Sequence, residues 1–168
     1  MMKTSLKMIF SFIIGVVLGK FCSKKIDYIY IKERVDFLQK EYEKYFQWYD
    51  VFNNWMELKN AGISLNYRLS RRGIRSIAIY GMGRVGNRLV EDIRYNNLMG
   101  EEKIDIVYGI DANISMNDIG VPIYLPNDDL EKVDAIIVTA FFDYDSIKKI
   151  LPNKYNVISL EELIDNSL

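Results

Sequence analysis

Ser76-Ile77-Ala78-Ile79-Tyr80 runs straight into Gly81-Met82-Gly83-Arg84-Val85-Gly86 and then into Asn87-Arg88-Leu89-Val90-Glu91-Asp92-Ile93-Arg94. The first five residues are apolar and rich in β formers, which predicts a strand. Val85, Leu89, Val90 and Ile93 recur at helical spacing, which predicts a helix. The glycines between them are spaced G-x-G-x-x-G, and each has a physical task. Gly81 lets the chain turn sharply out of the strand, Gly83 leaves room for a phosphate to approach the backbone, and Gly86 lets the helix sit close on the sheet. The free N–H groups and the positive dipole end of that helix attract an anion. Arg84 and Arg88 lie on its first turns, within reach of a phosphate.

Ile104 to Ile110, mostly apolar, reads as the second strand, and Asp111 follows at its end, 25 residues after Gly86. A carboxylate at that distance accepts hydrogen bonds from ribose hydroxyls, and it repels a 2′-phosphate. The spacing therefore favours NAD or a nucleotide ribose ahead of NADP, which Arg84 alone would favour. Val121 to Tyr124 reads as a short extended piece and Asn127 to Leu130 as the start of a brief helix. Asp134 to Thr139 is a continuous apolar run, as a strand covered on both faces requires. Asp143 is expected to cap a helix through Leu151, Val157 to Ser159 to form a strand, and Glu161 to Ile164 a closing helix. The fold class is α/β: a Rossmann-like parallel sheet of about four to five strands with helices on both faces. Ligands in such sheets bind at the carboxyl ends of strands. The candidate nucleotide-binding residues are Gly81, Met82, Gly83, Arg84, Val85, Gly86, Asp111, Asn113 and Thr139, with Ala140, Phe141 and Phe142 continuing the last loop.

Composition narrows the chemistry. The 168 residues include one cysteine and no histidine, which excludes a disulfide scaffold, a Cys/His zinc site and an imidazole base. A net charge of −1 gives no global sign of a nucleic-acid binder.

The charge is laid out in blocks. Residues 1–25 carry five lysines and no acid, and residues 61–75 carry four arginines (Arg68, Arg71, Arg72, Arg75) and no acid. Residues 76–168 carry eight basic and sixteen acidic side chains. These blocks suggest a membrane anchor over 1–25, a helical stalk with a short linking helix over 26–73, and a nucleotide-binding domain over 74–168. Met8 to Gly19 is free of charge, and Thr4 to Cys22 would span about 28 Å as a helix if Lys7 and Lys20 snorkel to the interfaces. An uncleaved single-pass anchor in the cell membrane is the favoured reading. A cleaved signal (cut after Gly19, without an A-x-A site) and a buried helix of a soluble domain are the alternatives. Binding a soluble nucleotide places the globular domain on the cytoplasmic side, and Lys20, Lys24 and Lys25 agree with that.

Tyr28, Ile31, Val35, Leu38, Tyr42, Tyr45, Tyr49, Phe52 and Met56 follow an unbroken 3-4 spacing. A second stripe, Trp48, Val51, Trp55 and Leu58, falls on another face. A helix apolar on two faces is covered on both, so the first half is expected to pair with another chain and the second half to dock on the domain. The alternative is a helix folded wholly onto its own domain. Asn60-Ala61-Gly62 reads as a C-cap and Ser64 as the N-cap of a short helix ending near Gly73. The arginines of that helix read as a solvated face, or as an approach to an anionic lipid or phosphate.

Residues 74–165 resemble the small Rossmann-like modules of bacterial surface-polysaccharide biosynthesis. Relatives of that kind are the N-terminal domain of sugar N-acetyltransferases and the C-terminal domain of sugar C-methyltransferases. The resemblance is carried by IAIYGMGRVG (77–86), GID (109–111), GVPIY (120–124), DAIIVTA (134–140) and VISLEEL (157–163). The lead-in NWMELKNAGISLNYRLSRRGI (54–74) is also similar. In the acetyltransferases the glycine turn and the acid after the second strand contact a nucleotide sugar, which implies that role for Gly81, Gly83, Gly86 and Asp111. The chain lacks the left-handed helix that carries acetyl transfer and any methyltransferase catalytic half. The resemblance therefore implies binding more than turnover, with a partner enzyme of polysaccharide synthesis or a second copy completing any activity.

No catalytic residue stands out. Tyr144 and Lys148 match Y-x-x-x-K, as in short-chain dehydrogenases, but so do Tyr28 and Lys32, and the match falls only 58 residues after Gly86. Asp128, Asp129, Asp143 and Asp145 fit turns and helix starts better than a metal site. The leading expectation is a membrane-anchored nucleotide-binding module. The rivals are a scaffold with an unoccupied shell and a dimerising stalk, and, more weakly, a free-standing oxidoreductase or epimerase.

Overall fold

The computed structural model describes residues 2–113 and 119–165, with side chains described from Tyr28 onward and, before that, only at Gly15, Gly19 and Lys20. The chain divides into two compact units, Met1–Gln47 and Trp48–Leu168. One helix, α1 (Met2–Asn60), makes up the described part of the first unit and ends in the second. Among the described residues no helix is long and apolar enough to cross a membrane. The anchor expected over residues 4–22 falls where nearly all side chains lie outside the described ones. In the first unit Tyr28, Ile31, Val35, Leu38, Tyr42 and Tyr45 are each more than half exposed.

In the second unit the other stripe of α1 is the one that packs. Val51, Trp55 and Leu58 are buried in the core, with Trp48 against it. The helix closes with Gly62 N donating to Lys59 O and Ile63 N to Leu58 O. Ser64 then opens α2 (Leu65–Arg71), its hydroxyl accepting from Tyr67 N at 3.0 Å, as its sequence position suggests.

The sheet contains β1 (Ser76–Tyr80), β2 (Asp105–Ile110), β3 (Ile123–Tyr124), β4 (Ala135–Val138) and β5 (Val157–Ser159), in the order β3-β2-β1-β4-β5. Every pairing is parallel. α3 (Arg84–Leu98) follows β1, α4 (Tyr144–Ile150) lies between β4 and β5, and α5 (Leu160–Ile164) follows β5. Side-chain alternation splits the interior into two layers. Ile77, Ile79 and Ile137 pack with α2, α3, α5 and the end of α1, while Ala78, Ile136 and Val138 pack with Ile147 of α4. Helices thus cover both faces, which explains the unbroken apolar run of β4.

Two expectations need correction. Asn127 to Leu130 forms no helix: Leu125 N donates to Asp128 Oδ2 at 2.7 Å and Asp128 N returns to Leu125 O, so the carboxylate makes a local turn. The segment beyond it is irregular and is tied down by two phenols. Tyr108 OH donates to Glu131 O at 2.6 Å and Tyr155 OH to Leu130 O at 2.9 Å. Asp143 stands at the N-cap of α4 but makes no side-chain cap bond, because it belongs to a 3-10 turn, Phe141–Asp143.

Candidate functional site

β1 lies between β2 and β4, and the chain winds from β1 to β2 on one side and from β4 to β5 on the other. The crevice at the carboxyl ends of β1 and β4 is therefore where opposite windings part. The loops after these two strands meet there. Thr139 N donates to Tyr80 O at 2.9 Å, and the Thr139 hydroxyl donates to Gly81 O and Tyr80 O.

The turn is built as the glycine spacing demands. Gly81 has φ +94°, and an added Cβ would sit 2.9 Å from Thr139 Oγ1. At Gly86 a Cβ would lie 2.2 Å from Gly81 O, so α3 can rest on the turn only with glycine there. Gly83 is the N-cap of α3, with an extended backbone and open space where a side chain would go. The first bond of the helix runs from Asn87 N to Gly83 O at 3.0 Å. The amides ahead of it are the donors that a helix start cannot satisfy internally.

Met82 and Val85 lie between the glycines and point inward. Both are buried, and Met82 packs so tightly on β2 that a Cβ on Gly109 would fall 2.5 Å from its Cγ. Their contribution to the site is backbone only. Asp111 stands at the end of β2 as expected, and its carboxylate is directed at the turn. Its Oδ2 accepts from Met82 N at 2.7 Å and its Oδ1 from Asn113 N at 2.9 Å. A carboxylate offers about four lone-pair sites, so two acceptor positions carry no bond among the described residues. Thr139 is buried, and Asn113 and Arg84 are exposed. Arg88 pairs with Glu91 one turn along α3.

Two residues at the crevice escape sequence reasoning. Tyr80, the last residue of β1, is half-buried, and burial followed by the carboxylates of Asp111 and Asp143 raises its phenol above the usual range. Strand alternation could have flagged it, since Tyr80 lies on the α4 side of the sheet. Asn87, on the first turn of α3, keeps a buried Oδ1 with no hydrogen-bond partner among the described residues. Nothing in its sequence context signals that.

Other motifs resolve into structural roles. Lys148 Nζ lies 3.4 Å from Tyr144 OH, but that phenol donates its proton to Val157 O at 3.0 Å. Arg68 donates to Leu163 O and Asp165 O, and Arg72 to Glu162, so both close the end of α5. Among the described residues no three carboxylates or cysteines converge on one point. No protein-family model, no curated protein and no solved structure matches the chain.

Proposed function

We propose that the chain is a membrane-anchored module with a Rossmann-like domain that binds a nucleotide, NAD or a nucleotide sugar, in bacterial envelope polysaccharide synthesis. One observation supports the binding half: a side chain at Gly83, the N-cap of α3, would enter open space, at the carboxyl edge of a parallel sheet where its winding reverses. A phosphate there would meet the backbone of Gly83 to Gly86, with Arg84 exposed on the same turn. Asp111 would use its remaining lone pairs for ribose hydroxyls. The envelope setting rests on the resemblance over residues 74–165, and the anchor on the apolar stretch Thr4 to Cys22.

A scaffold is the second reading, and a specific contact favours it. The Asp111 carboxylate already holds the Met82 and Asn113 amides, so the turn is self-supported without a ligand. Thermal unfolding of the detergent-solubilised full chain against NAD, NADP, UDP-sugars and S-adenosylmethionine separates the two. Stabilisation by NAD or a UDP-sugar that disappears in Gly83→Val supports binding. No shift at millimolar ligand leaves the scaffold.

A further inference from the structure

We infer that two copies of this chain pair in parallel through the exposed seam of α1, from Tyr28 to Met56. In the first unit the seam residues run from 52% exposed at Leu38 to 71% at Tyr45. In the second unit Tyr49, Phe52 and Met56 are also exposed, although the neighbouring stripe of the same helix is buried. Packing within the second unit therefore leaves these three side chains uncovered. The seam follows 3-4 spacing without a break over four heptads, the pattern in which one helix supplies both knobs and holes to its own copy. Nine such side chains offer on the order of 1,000 Å² per copy, against about 800 Å² per partner in a stable interface.

Charge selects this occupant. Between Tyr28 and Gln47 the other faces carry four basic and four acidic residues. A lipid-surface helix would be enriched in lysine and arginine. Charge also selects the orientation. With Tyr28 at position a, parallel pairing sets Arg34 at g opposite Gln39 and Glu41 at g opposite Phe46 of the other copy, with no like charges facing. The antiparallel alignment that overlaps the same seam, Tyr28 against Phe52, sets Glu41 beside its own copy. Like charges there oppose it. This pairing stands whether or not the glycine turn holds a nucleotide.

The test uses the full chain in detergent micelles with Cys22→Ser as background. Leu38→Cys, in the seam, is expected to form a disulfide-linked dimer on mild oxidation, as parallel in-register pairing requires. Phe37→Cys, which is exposed but off the seam, is expected to stay monomeric under the same conditions. In sedimentation equilibrium, Leu38→Glu is expected to weaken dimerisation by at least about tenfold, roughly 1.4 kcal/mol, while Phe37→Glu leaves it unchanged. A monomeric parent chain overturns the inference. So does equal crosslinking at the two cysteine positions, or a dimer indifferent to Leu38→Glu.

Discussion

The seat of Met82 is the most informative place to perturb the second unit. Met82 is buried within the glycine turn, and its thioether fills the space above Gly109 of β2. A Cβ at Gly109 would approach Met82 Cγ to 2.5 Å and Sδ to 2.8 Å, inside the limit for real contacts. Gly109→Ala must push the side chain aside, and overpacking of that kind costs about 1–3 kcal/mol. The lost glycine entropy of the unfolded chain returns about 0.4–1 kcal/mol. Met82→Ala leaves a cavity and costs about 2–5 kcal/mol. In the double variant the new methyl enters the vacated space, so its loss should fall below the sum of the single losses by at least about 1 kcal/mol. Urea unfolding of the full chain, followed by fluorescence of Trp55 buried beside α3, reads all four corners of the cycle. Additivity within about 0.5 kcal/mol would refute this packing.

Gly86→Ala sets a methyl against the Gly81 carbonyl and should cost more than about 3 kcal/mol, whereas Gly83→Ala enters open space and should stay within about 1 kcal/mol; the same urea titration ranks them. Asp134 accepts from the amides of Arg75 and Ser76 and from the Ser76 hydroxyl, which holds its carboxyl below the ordinary value of 3.8. Because the folded value is the lower one, its stabilisation is full above pH 3.8 and is lost as pH falls through the folded value. The stability gap between wild type and Asp134→Ala should therefore be constant from pH 5 to 7 and close in stronger acid, as acid-series unfolding would measure.

Local chemistry made β1, the glycine turn and α3 readable. A β-rich run, three glycines at fixed spacing and a helical repeat each act over a few residues, and no distant partner alters their meaning. The same holds for Ser64, whose hydroxyl caps α2 from three residues away. Asn127 to Leu130 reads as a helix start because of its acids. There the Asp128 carboxylate instead closes a turn on Leu125 N, and phenols from Tyr155 and Tyr108, distant in sequence, hold Leu130 and Glu131. Arg68 and Arg72 likewise read as a solvated face, whereas α5 supplies them with the Leu163 carbonyl and Glu162.

From its sequence alone this protein was committed to an α/β core led by a glycine turn, with an amphipathic helix ahead of it, because periodicity and backbone freedom are properties of neighbouring residues. Folding decided which stripe of α1 enters the core, that Met82 points inward over Gly109, and that Asp111 grips the turn's own amide. Each of those depends on the distance between residues brought together by the sheet, a quantity that local spacing along the chain does not carry.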